Sequence, residues 1–280
     1  MQTPHWPISL AQWSLHRSIN DGLVSAEDFP IFTRDMFGLQ GVEYVNTFFK
    51  ERVCDQNWLT QLATRTEAAG VRNLLIMVDG AGALGAANEA ARQHAVDAHH
   101  EWLQAAAALG CHSIRVNINS EGTPDEQRDR CAAGLHALLE HAEACDLDVL
   151  IENHGGLSSH GEWLVSLMDL VDHPRLGTLP DFGNFIVNYE TGESYDRYKG
   201  IDELMPWARS LSAKSHDFDA EGNEVNTDYE HMFKIVRSHN YQGWVGVEYE
   251  GEHLSEVEGI TRTRDLLCRH GCSLSLETSS

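Results

Sequence analysis

Short apolar runs recur along this chain at the pitch of one strand plus one helix. They cover 8–14 (ISLAQWS), 41–46 (GVEYVN), 71–78 (VRNLLIMV), 112–117, 147–152 (LDVLIE), 176–181 (LGTLPD), 210–216 (SLSAKSH) and 244–248 (WVGVE). Runs this short read as buried strands. Between them lie helical stretches with recognisable ends. Ser25-Ala-Glu-Asp28 and Thr123-Pro-Asp-Glu126 have the spacing of capping boxes, and Pro124 takes the favoured first helical position. Gly38, Gly70 and Gly110 stand where left-handed caps end helices, and the alanine-rich 86–109 is one long helix by propensity. Eight alternating signals with no break in composition predict one α/β domain over 1–280, a single (β/α)₈ barrel. A doubly wound open sheet is the rival architecture.

The last four runs close on Glu152, Asp181, His216 and Glu248, at intervals of 29, 35 and 32 residues. Active sites of such barrels form at the C-terminal strand ends, so this spacing puts all four groups on one rim. Three carboxylates and an imidazole facing one another repel unless a divalent cation sits among them. The donor set suits Mn²⁺ first, then Mg²⁺, Co²⁺ or Zn²⁺.

Each residue also has a plainer reading. Glu152 ends a wholly apolar run, where an unpaired carboxylate is costly to bury; a salt bridge to a lysine or arginine is its alternative. Asp181, in LPDFGN, could be a turn aspartate, and Asn184 a cap rather than a wall of the site. Lys214 and His216 alternate onto one face, so one of them completes the set. An ammonium has no lone pair, which selects His216 as ligand and leaves Lys214 to hold a substrate oxygen or balance the carboxylates. Glu250 reads as a solvated rim charge. His154 shares a side with Glu152. Glu43, Arg115 and Asn117, with Gln12 and Trp13, reach the same rim, pairing with one another or with a polyhydroxylated ligand. A literal GxGxxG at Gly80–Gly85 lacks the acidic residue that a dinucleotide site needs at the next strand end. It reads as a flexible loop, a lid over the rim.

Charge and composition narrow the partners. Twenty basic against 43 acidic residues give a net charge of −23, which repels nucleic acid and anionic membranes. No run approaches a membrane span, and the N-terminus lacks the basic-then-apolar order of a signal peptide. The six cysteines are scattered and read as reduced thiols of a cytoplasmic protein. Cys268, His270 and Cys272 make only an incomplete metal set. A homo-oligomer, dimer or tetramer, is the expected assembly.

Over nearly its whole length the chain resembles the xylose-isomerase-like barrel superfamily, in its sugar phosphate isomerase/epimerase group, which includes ketose 3-epimerases and inosose isomerases and dehydratases. The stretches that carry the likeness are GVEYV, LIENHGG, LPDFGN, AKSHDFDAEGNE and GWVGVEYEG. The resemblance implies one divalent metal held by Glu152, Asp181, Glu248 and a seventh-strand histidine. The family pattern His-x-x-Asp would put Lys214, not His216, in the histidine's place before Asp217. Asn184 stands where ketose epimerases often carry a substrate-contacting histidine. Together these readings predict a divalent-metal-dependent sugar isomerase or epimerase that transfers a proton beside a carbonyl on a keto-sugar or inosose, with Glu152 and Glu248 as the catalytic carboxylates and Glu43, Arg115, Asn117, His154, Asn184 and Lys214 around the substrate. A dehydratase on a keto-polyol is the first alternative. A nuclease resembling endonuclease IV, or a sugar-binding protein without turnover, follows.

Overall fold

A computed structural model describes residues 5–274; the ends of the 1–280 span, 1–4 and 275–280, lie outside the described residues. Eight strands run parallel: β1 Trp6–Ala11, β2 Gly41–Val45, β3 Arg72–Val78, β4 Ser113–Val116, β5 Asp148–Glu152, β6 Leu176–Leu179, β7 Ser210–Ser215 and β8 Trp244–Tyr249. A long helix follows each, α1 Phe29–Phe37, α2 Gln56–Ala68, α3 Glu89–Leu109, α4 Pro124–Cys145, α5 Gly161–Val171, α6 Arg197–Leu204, α7 Tyr229–Ser238 and α8 Glu256–Arg269, and a short helix His16–Asn20 precedes α1. The sheet runs from β6 through β5, β4, β3, β2 and β1 to β8 and β7. Bridges Thr178–Ala208 and Asp181–Ser212 then join β6 to β7. The Ser212 amide donates to the Pro180 carbonyl and the Phe182 amide to the Ser212 carbonyl, both at 3.0 Å. The rival open sheet is thereby excluded.

Local chemistry explains where elements start and stop. Thr123 accepts from the Glu126 amide while the Glu126 carboxylate accepts from the Thr123 amide, a complete capping box with Pro124 behind it. Gly110 ends α3 at φ 73°, a left-handed conformation that other residues rarely adopt. The Ser25 box caps a turn rather than a helix. Its hydroxyl accepts from the Asp28 amide at 3.1 Å, and α1 begins only at Phe29. The first strand ends at Ala11, earlier than expected, because a 3₁₀ turn over Gln12–Leu15 follows it. Two short strands, Ile186–Asn188 and Glu193–Ser194, form an antiparallel hairpin after β6 that the apolar pattern did not announce.

Strand side chains alternate between two faces. The outward set, such as Ile8, Leu10, Val42, Tyr44, Ile114, Val149, Ile151, Leu211, Val245 and Val247, packs with the helices into the main core. The inward set is mixed. Ala11, Val45, Leu75, Met77, Leu150 and Leu179 form a small separate cluster inside the barrel. Of the other inward positions, Arg115, Glu152, Ser212, Lys214 and Glu248 form the site, while Ser9 and Glu43 are sealed inside the barrel. Among the described residues no helix is long and apolar enough to cross a membrane.

Candidate functional site

Glu152 ends β5, Asp181 lies two residues beyond β6, and Glu248 stands in β8. Oxygens of these three carboxylates lie within 4.8 Å of one another, and all three residues are buried. Among the described residues this is the one group with the composition and spacing to hold a metal ion; Cys268, His270 and Cys272 do not form another.

Each carboxylate is held by neighbours. Asp181 Oδ1 accepts from the amides of Gly183 at 2.7 Å and Asn184 at 2.8 Å. The Ser212 hydroxyl lies 2.8 Å from Asp181 Oδ2 and 2.5 Å from Glu248 Oε2, so its one proton is shared between two carboxyls. Asn184 Nδ2 donates to Glu152 Oε1 at 3.1 Å. Arg115 Nε stands 2.8 Å from Glu152 Oε2, a charge contact whose angle falls short of a hydrogen bond. The same guanidinium donates to Asp79 at 2.7 Å and to the Asn117 amide oxygen at 3.2 Å, and Asn117 Nδ2 donates to Asp79 at 2.7 Å. The plainer reading of Glu152, a salt bridge, is therefore also present.

The fourth position overturns an expectation. His216 stands outside the carboxylate group: it lies one residue past β7, its side chain is 41% exposed, and its Nε2 reaches only Glu250, at 3.8 Å. Lys214 points inward from β7 and is buried. Its Nζ lies 3.5 Å from Asp181, 3.3 Å from Glu248 and 3.1 Å from Glu250. The pleat decides this. Residues 212 and 214 face the barrel from within the strand, whereas position 216 is already beyond the sheet. Glu250, expected in solvent, leans in against the ammonium.

Other rim residues divide. Asn117, Asn184 and Arg115 join the site through the bonds above, and His154 opens to solvent at its mouth. The walls of the cleft, then Arg115 and Lys214, push the His154 pKa below its ordinary value. Glu43 was expected at the substrate, but it is sealed inside the barrel at 0% exposure, bonded to Ser9 at 2.6 Å. Gln12 is likewise buried and accepts from the Val45 amide. Trp13 packs against the inner apolar cluster and stacks on His16 and Phe48 at 4.9 and 5.9 Å. The Gly80–Gly85 loop is not a free lid: Leu84 is fully buried and its carbonyl lies against Gly134 of α4.

Asp79, Ser212 and Asn153 escaped the sequence reading. Asn153 bonds both the amide and the carbonyl of Asp181, at 2.7 and 2.9 Å. Asp79 follows the apolar strand β3 just as Asp181 follows β6, which was a usable signal. Ser212 shares the alternation of Lys214, a weaker one.

Electrostatics separates the two glutamates. Burial, with Glu248 and Asp181 nearby, raises the Glu152 pKa well above the carboxylate range against the pull of Arg115. Glu248 is also buried, yet Lys214 and then the Ser212 hydroxyl hold its pKa below the ordinary value. Burial raises Asp181 to about 6. Burial opposes charge on Lys214, but Asp181, Glu248 and Glu250 outweigh it and raise its pKa well above normal.

The three carboxylates suit a divalent cation, whereas the whole set does not fit one as it stands. Every oxygen of the triad already faces a protein partner, and the fourth group is an ammonium with no lone pair to give.

A family model described as a xylose isomerase-like TIM barrel matches residues 33–270. Similar solved structures include a 3-keto-D-glucoside 4-epimerase from E. coli (15% identity, 94% of this chain and 99% of that one, TM-score 0.69). An L-ribulose 3-epimerase aligns at 14% identity over 94% of each chain, with a TM-score of 0.72. The IOLI protein with a bound zinc atom aligns at 12% identity over 95% of this chain and 98% of that one, with a TM-score of 0.73. At these identities the likeness shows the fold. No curated protein matches by sequence.

Proposed function

The chain belongs to the xylose isomerase-like TIM barrel family, and from that premise we propose that it is a sugar isomerase or epimerase acting by proton transfer beside a carbonyl. The observation that carries this reading is the pair Glu152 and Glu248. They are two carboxylates of one barrel mouth, and their surroundings move their pKa values in opposite directions. Such a split assigns acid and base roles. Glu248, whose carboxylate form Lys214 and Ser212 favour, takes the proton from the carbon next to the carbonyl, and the electron pair moves to the carbonyl oxygen as an enediolate forms. Glu152, whose hold on a proton burial strengthens, returns a proton to the other face. Arg115, Asn117, Asn184 and His154 offer polar groups for the hydroxyls of a small keto substrate. Two of the similar solved structures are a 3-keto-D-glucoside 4-epimerase and an L-ribulose 3-epimerase, which supports the epimerase reading.

Turnover of keto-pentoses, keto-hexoses and inososes in D₂O tests the proposal. Solvent deuterium at the altered carbon is expected, because the carboxyl groups exchange their protons with water. Product formed at full rate and free of solvent deuterium would point to a hydride shift and overturn the two-glutamate relay. Loss of the β-hydroxyl from the same enediolate would make the enzyme a dehydratase.

A further inference from the structure

The carboxylate cluster carries a cation of its own. We infer that the Lys214 ammonium takes the place of a divalent ion there, so that the protein folds and holds Asp181 and Glu248 in position without bound metal. The inference rests on reading this barrel mouth as the working site, though not on which reaction it performs. Lys214 Nζ lies within 3.5 Å of both Asp181 and Glu248, two of the three prospective ligands. An ion at the usual ~2.0–2.3 Å from those oxygens would stand within about 6 Å of a fixed like charge in a low-dielectric interior. Arg115 Nε already stands 2.8 Å from the third carboxyl, Glu152.

The lysine stem is built in. A Cβ at Gly183, in the loop that carries Asp181, would come within 2.7 Å of Lys214 Cγ, so a glycine there leaves room for the side chain. Tyr229 donates to the Lys214 carbonyl at 2.9 Å and fixes its backbone. His216 offers no substitute ligand, because its ring turns to Glu250 and its amide donates to Glu224.

The test is metal binding measured apart from turnover, on the wild type, Lys214→His and Lys214→Met. Each protein is stripped with EDTA, titrated calorimetrically with Mn²⁺, Co²⁺ and Zn²⁺, analysed for metal content, and melted with and without Mn²⁺. Expected are a wild type that retains no stoichiometric metal and whose Tm ignores both EDTA and Mn²⁺, and a Lys214→His variant that binds one ion per chain. The affinity gain should be at least about 100-fold, the order expected when a like charge within ~6 Å becomes a lone-pair donor. Lys214→Met, which leaves the carboxylates without their counter-charge, should melt lower and be raised by Mn²⁺. If that variant fails to fold, Lys214→His carries the test.

A wild type that purifies with one tightly held ion, and whose Tm drops when it is removed, overturns the inference. Failure of both wild type and Lys214→His to bind metal overturns it as well, since the cluster would then not be a cation site that Lys214 fills. Neither result depends on whether sugars turn over, so the proposed reaction stands or falls separately.

Discussion

Glu43 shows what enclosure does to a single carboxyl. Burial raises its pKa from 4.5 to about 7, against the pull of the Ser9 hydrogen bond, with Glu248 adding to the rise. The folded chain therefore holds this proton more tightly than the unfolded one. The stability it contributes is fully present below about pH 4.5 and is lost as pH rises to about 7. At ~1.36 kcal/mol per pKa unit the loss is up to about 3 kcal/mol. Glu43→Gln stays neutral throughout, so it should be more stable than the wild type at about pH 8, with the gap closing toward about pH 5. Urea denaturation at the two pH values checks this; a gap that widens on acidification would contradict it. For the two working glutamates the measurement is kinetic. Glu248→Gln and Glu152→Gln should each lower kcat by ~10²–10⁴-fold, the usual weight of a general acid or base, with far smaller changes in KM. Undiminished kcat in Glu248→Gln would reassign the base.

Among the elements, α4 bears two local commitments. Its capping box satisfies backbone groups that the helix cannot pair internally, and Thr123→Ala should cost about 1 kcal/mol. Its Gly134 gives the 80–85 loop a seat, because an added Cβ would collide with the Leu84 backbone. Gly134→Ala should therefore cost about 1–3 kcal/mol through displacement of that loop. Chemical unfolding ranks the two variants, and a Gly134→Ala protein as stable as the wild type would show that the loop yields freely. The glycine pattern that resembles a dinucleotide fingerprint thus has a packing explanation: Gly85 also approaches Cys131 of α4, whose Sγ an added Cβ would meet at 2.5 Å.

For the whole molecule the dominant global term is charge. At −23, self-repulsion weakens the compact state, and mobile ions screen it over a Debye length of ~8 Å at physiological ionic strength. The melting temperature should rise as NaCl goes from about 0.01 to about 0.15 M at constant pH. A Tm that falls would mean that attractive surface ion pairs outweigh the excess acid. Barrel closure is the other global property, since the bridges between β6 and β7 bring Asp181 beside Ser212 and Lys214.

Much of this was legible in the chain itself. The repeat of eight apolar runs, the Thr123 box and the glycine caps are local signals, and they specify the strand–helix units because hydrogen bonding and burial act over a few residues. Glu152, Asp181 and Glu248 could be placed on one rim because strand ends repeat at that pitch and side chains alternate. Choosing between Lys214 and His216 needed the third dimension. The donor chemistry favoured the histidine, but where the strand stops determines which side chain points inward. That stop depends on pairing with β8, whose nearest partner residue is some thirty positions away in sequence. Tertiary structure likewise sealed Glu43 behind Gly246 and paired Arg115 with Asp79 and Glu152. Depth and neighbours come from the curvature of a closed sheet, which no local pattern carries.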